Sequence, residues 1–224
     1  MENIMNISDF FPFWEELTPY QQELLISFAV KRTVKKGIVI HNGSSDCLGL
    51  LLVSSGQLRA YILSQEGREI TIYRLFDRDT CMFSASCMLR NLQFDITIEA
   101  EKDSELWIIP PDIFKKLMDE SLPVSNFVNQ VIAGRFSEVM WLMEQVLWKS
   151  FDKRLAAFLM EESNIEESDI IKITHEKIAN HLGTAREVVT RMLRYFQNEQ
   201  LIRLSRGTIE IIDHKRIQNL AEID

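Results

Sequence analysis

The spacing of apolar residues changes once along this 224-residue chain, and that change limits the folds it can adopt. Between residues 31 and 110 the apolar runs are short, several alternate with polar residues, and glycines recur between them. Short alternating runs with regular turn signals predict the strands of a β sandwich or barrel. After Pro123 the apolar residues follow a helical period instead, for more than twenty residues. An all-β segment is therefore expected to be followed by a long helix.

The helix expected after Pro123 has two apolar stripes. The first advances in steps of four and three residues and consists of Val128, Ile132, Arg135, Val139, Leu142 and Val146. The second lies beside it and consists of Phe136, Met140, Met143 and Leu147. One stripe can cover the chain's own β segment while the other meets a partner, so two apolar faces favour an oligomer. We predict that the first stripe is a dimer interface; the alternative is a helix buried within its own subunit.

A glycine separates two helical patterns near the C-terminus. Thr174 can cap a helix that ends before Gly183, and the residues from Thr184 to Glu187 match the capping box T-x-x-E. The second helix is therefore predicted to begin at Ala185. Its predicted buried face consists of Ala185, Val188, Val189, Met192, Leu193 and Phe196. Its predicted exposed face consists of Arg186, Glu187, Thr190, Arg191 and Arg194.

Two histidines in this segment raise the possibility of a zinc site. Zinc-protease helices place histidines at positions i and i+4, which brings both imidazoles to one helix face. His175 and His181 are six residues apart, so they point in different directions. We therefore predict no metal site in the chain.

A basic hairpin is predicted to follow the second helix. Leu201–Leu204 and Thr208–Ile212 alternate in polarity, and a turn containing Arg206 and Gly207 joins them. Two helices, a tight turn and a basic hairpin predict a winged helix-turn-helix, with Arg206 at the tip placed to contact phosphate. Arginine, glutamate and threonine on the exposed helix face suit guanine, cytosine and thymine edges. An i,i+4 surface salt bridge between Glu187 and Arg191 is the alternative.

The charge distribution also points to a localised anion-binding region. Residues 172–216 contain nine basic and five acidic side chains, a balance of +4, which leaves −12 on the rest of a chain whose net charge is −8. A basic segment in an acidic protein can bind DNA phosphates while the remainder limits nonspecific binding. On charge alone, a merely solvated surface is an equally good interpretation.

The whole pattern resembles the cyclic-AMP receptor protein/FNR family of bacterial transcription regulators. The resemblance is strongest at ITHEKIANHLGTAREVVTRMLRYFQNEQLI (173–202) and DKRLAAFLM (152–160), and it extends to Lys36-Gly37 and Gly56. It implies an α+β fold: a β-roll (double-stranded jelly-roll) sensing domain at 1–120, a dimerisation helix at 121–150 and a winged helix-turn-helix at 151–224. It further implies a cytoplasmic, non-enzymatic homodimer that binds palindromic duplex DNA and RNA polymerase.

The resemblance also assigns roles to individual residues. Arg186, Glu187 and Arg191 match base-reading positions, and Thr190 matches a position that contributes to reading in some branches of the family. Thr174 and Thr184 match residues near phosphates.

The effector region departs from the family pattern. Nucleotide-binding members carry a Gly-Glu pair for the ribose and an Arg-Ser or Arg-Thr pair for the cyclic phosphate, where this chain has Ser84-Ala85 and Phe94-Asp95. A carboxylate repels a phosphate, so we predict that cyclic AMP does not bind. These four residues mark the candidate effector pocket, and the effector, a small molecule or a redox signal, stays unidentified.

The cysteines restrict the cofactors that the chain can hold. Cys47, Cys81 and Cys87 are an odd number without a C-x-x-C pair, which argues against a disulfide scaffold or a zinc ribbon. Three residues cannot supply the four ligands of an FNR-type iron–sulfur cluster. Cys81 and Cys87 are expected to be buried, with redox-sensing thiols as the alternative. No cofactor is assigned.

Other functional classes fit the sequence less well. The β segment contains one histidine, His41, whereas a cupin-type metal oxygenase needs several on adjacent strands. A scaffold module that binds no DNA would not need the basic hairpin or Arg191. No run of eighteen apolar residues is present, so no membrane span is expected.

Overall fold

The N-terminal half is a sandwich of two antiparallel sheets. The computed structural model describes residues 6–43, 47–88 and 95–222, with the backbone alone for 86–88. One sheet has the order β1-β8-β3-β6 and the other β2-β7-β4-β5. The strands are β1 (Val30–Val34), β2 (Val39–Asn42), β3 (Leu50–Ser55), β4 (Leu58–Leu63), β5 (Glu69–Leu75), β6 (Thr80–Cys81), β7 (Thr97–Ala100) and β8 (Ser104–Ile109). The predicted all-β segment is confirmed.

Alternating strand residues fill the sandwich interior. Leu51, Val53, Leu58, Ile98 and Leu106 are fully buried between the sheets. A tight turn between β3 and β4 carries the chain from one sheet to the other. At this turn Gly56 has φ +104°, and an added Cβ would lie 2.3 Å from the Ser104 hydroxyl. Glycine is required there because it alone adopts this φ without steric cost and leaves that space free.

Three helices flank the sandwich, and a second apolar cluster lies among them. They are α1 (Pro19–Phe28), α2 (Pro111–Glu120) and α3 (Leu122–Trp148). Phe114 of α2 and Val124 and Val128 of α3 pack with Phe10 and Phe11 of the N-terminal segment. The long helix predicted after Pro123 is therefore present, and its first turns are part of the core of the first unit.

The chain divides into two compact units, residues 1–63 with 72–139 and residues 64–71 with 140–224. The boundary after Val139 lies within α3, so this helix contributes residues to both units. Among the described residues, no helix combines the length and the apolar character that spanning a lipid bilayer requires.

The second unit contains the predicted helix-turn-helix and hairpin. Its elements after α3 are α4 (Phe151–Ile165), β9 (Ile170–Ile171), α5 (His175–Leu182), α6 (Arg186–Asn198), β10 (Ile202–Ser205), β11 (Thr208–Ile211) and α7 (His214–Glu222). Strand order is β10-β11-β9. Leu159, Ile178, Leu193, Phe196 and Ile217 are buried in its core.

The length of α4 and two short elements of the second unit differ from the prediction. The acidic composition of residues 161–169 favours an exposed connection, but α4 continues to Ile165 and buries Glu162 and Ser163. Strand β9 and helix α7 were not predicted. Both are short and owe their position to tertiary packing: β9 pairs with β11, and Ile217 of α7 joins the core.

Helix α6 begins one residue later than predicted. Its N-cap is Ala185, which is exposed and makes no side-chain capping bond, so the predicted Thr184 capping box is wrong. The reason is the end of α5. Gly183 adopts a left-handed conformation with φ +65°, and the Thr184 amide donates to the Ala179 carbonyl at 3.0 Å. Thr184 therefore completes α5, and Glu187 has no capping role.

Candidate nucleic-acid interface

Helix α6 presents a charged face and buries the opposite one. Val189, Leu193 and Phe196 are fully buried, because they recur at helical spacing on the side that meets the core. Arg186, Glu187, Arg191 and Arg194 are all exposed, as predicted. Within the part of the chain that the structure describes, no ion pair joins Glu187 to Arg191. Both side chains are therefore available to a ligand.

Thr190 lies on this face but is engaged within the protein. Its hydroxyl donates to the Arg186 carbonyl at 2.9 Å and lies 2.9 Å from Nδ1 of His175. The side chain is half-buried, so only its methyl group remains for a base contact. His175 thereby joins the site, a role that sequence reasoning missed because helical periodicity within one element does not show contacts between two helices.

The three candidate phosphate contacts lie on separate elements. Thr174 is exposed, and its hydroxyl accepts a hydrogen bond from the Lys177 amide at 3.2 Å, which confirms its capping of α5. Thr184 is half-buried in the turn between α5 and α6. Arg206 is exposed at the two-residue hairpin turn beside Gly207. Arg203, on the preceding strand β10, is paired across the hairpin with Glu210 at 2.6 Å, so Arg206 is the freer cation.

Arg154 links α4 to the helix-turn-helix and was not singled out from sequence. Its guanidinium donates to the carbonyl of Leu182, the last residue of α5, at 3.2 Å and lies 5.6 Å from the Phe151 ring centroid. Burial lowers the pKa of Arg154 from its ordinary value. A cation at a helix C-terminus satisfies a free carbonyl and opposes the negative end of the helix dipole. This contact gives a physical reason for an arginine in the DKRLAAFLM segment.

The first stripe of α3, which the sequence predicts to be a dimer interface, contacts its own subunit in its N-terminal half. Val128 is 2% exposed within the core, and Ile132 packs against the same cluster. The Arg135 guanidinium lies 4.4 Å from the Tyr73 ring centroid and pairs with Glu138 at 2.7 Å. Much of the surface of these three residues is therefore already covered within the first unit. Of the others, Val139 and Leu142 are half-buried and Val146 is exposed.

The second stripe of α3 is exposed to solvent in the single chain. Phe136, Met140, Met143 and Leu147 are all exposed, and Phe136 retains 65% of its accessible surface. Trp141 and Trp148 add to this surface, Trp148 at 81% exposure. Large contiguous apolar surfaces are rare on monomeric proteins and mark interaction sites.

The residues expected to mark an effector pocket have structural roles where they are described. Ser84 and Ala85 are fully buried, and the Ser84 hydroxyl lies 2.7 Å from the Gly49 carbonyl, to which it donates. The Ser84 carbonyl in turn accepts from the Gly49 amide at 3.3 Å. Asp95 is exposed, and Phe94 lies outside the described residues. Neither Ser84 nor Ala85 offers a carboxylate for a ribose hydroxyl.

A buried aromatic cluster lies close to these residues. Tyr73 is buried, with its ring 6.0 Å from the Phe83 ring and its hydroxyl 3.6 Å from the Cys81 sulfur. Burial, reinforced by Cys81, raises the pKa of Tyr73 well above its ordinary value, so the phenol is neutral. Arg135 adds its guanidinium to this cluster and lies 3.5 Å from the Thr80 carbonyl. Side chains of the protein therefore occupy the surroundings of Cys81.

The cysteines do not all behave as expected. Cys81 is a free, buried thiol, in line with the expectation of a buried structural cysteine. Cys47 is disulfide-bonded, a single bridge that the argument against a disulfide scaffold did not anticipate. Three cysteines leave room for one bridge and one free thiol, which the count alone could not exclude. The side chain of Cys87 lies outside the described residues.

No metal centre emerges among the residues that the structure describes. They contain no group of three histidine, cysteine, aspartate or glutamate side chains that could hold an ion. His181, one of the two histidines considered above, is buried with its ring 5.2 Å from that of Phe158.

Two family models match separate parts of the chain. Residues 31–121 match the cyclic nucleotide-binding domain, and residues 153–220 match the Crp-like helix-turn-helix domain. These ranges coincide with the β sandwich and with the elements from α4 to α7.

Similar proteins extend the match to nearly the full length. The cyclic AMP receptor protein of Thermus thermophilus is 23% identical over 94% of this chain and 96% of its own. The fumarate and nitrate reduction regulatory protein of Yersinia pestis is 26% identical over 85% of this chain and 78% of its own. A crystal structure of a Crp/Fnr-family transcriptional regulator from Eubacterium rectale is 59% identical, covers 96% of this chain and all of that one, and superposes with a TM-score of 0.94.

Proposed function

The chain belongs to the Crp/Fnr family of DNA-binding transcription regulators, and from that premise we propose that it is a homodimer that reads a palindromic DNA site through α6. The observation that carries the proposal is the exposed set of Arg186, Glu187 and Arg191 on a helix whose other face is buried. Arginine is a bidentate donor to guanine, and glutamate accepts from cytosine. A regulator of this kind acts in the cytoplasm, where it meets the chromosome and RNA polymerase.

Base reading and phosphate contact are assigned to different side chains. Arg186, Glu187 and Arg191 read base edges in the major groove, while Thr190 contributes at most its methyl group because its hydroxyl is engaged. Thr174, Thr184 and Arg206 contact the phosphate backbone. Their positions at the start of α5, at the turn before α6 and on the hairpin suit contacts on either side of a helix held in the groove.

The dimer is proposed to form through the second stripe of α3 rather than the first. The stripe of Phe136, Met140, Met143 and Leu147 repeats every three or four residues, as in a two-helix coiled coil, and is exposed in the single chain. Two copies packed along this stripe relate the two α6 helices by a two-fold axis. Half-sites about 34–36 Å apart, one turn of duplex, are then read together.

Cyclic AMP is expected not to bind. Ser84 and Ala85 offer no carboxylate to the ribose, Asp95 is an anion, and the neighbouring cluster is filled by Tyr73 and Phe83. Titration calorimetry with cyclic AMP on the purified protein should give no binding heat at micromolar concentrations. A saturable isotherm in that range would contradict this prediction.

The proposed function predicts DNA binding that is both specific and steeply dependent on salt. The test is a mobility shift on the promoter region of the protein's own gene, with a scrambled duplex as control. Each phosphate that a lysine or arginine neutralises should lower the slope of log K against log salt by about 0.9, so Arg206 of the two subunits alone contributes a slope of about −1.8. Equal affinity for both duplexes at every salt concentration would rule out a sequence-specific regulator.

A further inference from the structure

A hydrogen-bonded chain joins the two helices of the helix-turn-helix. It runs from Nδ1 of His175, the first residue of α5, to the Thr190 hydroxyl, and from there to the Arg186 carbonyl in the first turn of α6; both distances are 2.9 Å. Arg186, Thr190 and Arg194 are spaced by four residues and so form one line along α6. His175 therefore lies against the charged face on which the proposed DNA contact rests.

The number of protons available to these two hydrogen bonds determines the tautomer of the His175 imidazole. The Thr190 hydroxyl has one proton, which goes to the Arg186 carbonyl. Its oxygen must then accept from His175, so Nδ1 carries a hydrogen. In the neutral imidazole, Nε2 is consequently a lone-pair acceptor. A neutral His175 can offer no hydrogen bond to an anion, whereas a protonated one adds an Nε2–H donor and a positive charge.

The surroundings of His175 hold it neutral in the free protein. Burial and then the guanidinium groups of Arg186 and Arg194 on α6 lower its pKa below the ordinary value. The charged groups beside it on its own helix, Glu176 and Lys177, have opposite signs. The start of α5 adds the positive end of a helix dipole, which opposes protonation further.

We propose that His175 positions α6 through Thr190 and takes up a proton when the protein binds the DNA backbone, so that DNA affinity rises as the pH falls. The inference rests on the proposed function. Backbone phosphates near Thr174 and Arg194 add negative charge that counters the positive potential disfavouring a charged imidazole, and a phosphate oxygen can accept from Nε2–H. The pKa of His175 is therefore higher in the complex than in the free protein.

The sign of the effect follows from this linkage. Affinity is lowest at high pH, where His175 is neutral in both states. It increases as the pH falls through the higher pKa of the complex, and it levels off below the lowered pKa of the free protein. One proton per subunit sets the limit, at most about a tenfold gain in affinity per pH unit for each half-site.

The experiment is a fluorescence anisotropy titration of the full-length protein with a duplex from the promoter region of its own gene. It runs from about pH 5 to about pH 8 at constant ionic strength. His175→Asn keeps a donor in the Nδ1 position but cannot titrate, so it should match the wild type at the highest pH and gain no affinity below it. His175→Ala also loses the bond to Thr190 and should bind more weakly at every pH. His214→Asn is the matched control. His214 lies on α7, where it is paired with Asp169 at 2.7 Å, so this substitution should leave the pH profile of DNA binding unchanged.

The outcomes distinguish failure of the role proposed for His175 from failure of the proposed function. A wild type and a His175→Asn variant with the same pH profile would overturn the role of His175 while leaving the regulator intact. A wild type without sequence preference at any pH would instead overturn the proposed function, and the inference with it. Nitrogen-15 chemical shifts supply an independent readout: in the free protein, His175 should be protonated at Nδ1 alone, and a shift pattern of the opposite tautomer would contradict the proposal.

Discussion

Replacing Met140 and Leu147 together with glutamate is expected to turn the dimer into a monomer and to weaken binding to a palindromic site by about 100-fold or more. Both side chains are exposed on the second stripe of α3, so the single chain loses little packing. In a dimer, by contrast, two pairs of carboxylates would be desolvated against apolar side chains without partners, at several kcal/mol. A monomer binds only one half-site and loses the gain in affinity that comes from binding two half-sites together, typically about 10²–10⁴.

The measurements are sedimentation velocity for the oligomeric state and anisotropy for DNA binding. Gln130→Glu is the control, because it places the same charge on an exposed polar position of the same helix outside the stripe. Circular dichroism should report equal helix content for both variants. A Met140→Glu, Leu147→Glu protein that still sediments as a dimer would show that subunits meet elsewhere.

The second large effect is expected at the DNA face of α6. Alanine at both Glu187 and Arg191 should remove most of the preference for the cognate site, since each well-placed base contact discriminates by about 1–3 kcal/mol. The two side chains are exposed, so stability should change little. Binding to scrambled DNA should persist, because it depends on phosphate contacts that the substitutions leave in place.

Two further variants make this test specific. Gln197→Ala changes an exposed residue in the last turn of α6 and should leave both affinities unchanged. Arg206→Ala removes the cation at the hairpin turn and should weaken cognate and scrambled duplexes alike, with a shallower salt slope. If the Glu187→Ala, Arg191→Ala protein kept the full sequence preference of the wild type, base reading by α6 would be refuted.

Local patterns in the sequence were sufficient for the main elements. Alternation with glycine turns predicted the sandwich, the helical period after Pro123 predicted α3, and Gly183 was correctly placed between two helices. The buried positions of α6 followed from spacing at Val189, Leu193 and Phe196. These predictions succeeded because each depends on neighbours within a few residues, which the sequence lists in order.

Most features that the sequence did not predict depend on contacts between residues far apart in the chain; the Thr184 capping box is the exception, because a competing local bond replaces it. Thr184 resembled an N-cap, but its amide completes the end of α5. Strand β9 is two residues long and forms because β11 supplies its hydrogen bonds. The bond between His175 and Thr190 crosses from one helix to another, and the disulfide of Cys47 could not be inferred from a count.

The two stripes of α3 show most clearly what the sequence determines and what only the tertiary structure decides. The sequence by itself determined that this helix has two apolar faces, that a β sandwich precedes it, and that a charged helix face follows Gly183, because residue order sets periodicity. Only the tertiary structure decided that Val128 and Ile132 cover the chain's own core while Phe136 and Leu147 remain exposed. Periodicity shows which residues share a face, but the surface that covers a face is formed by residues far away in the chain.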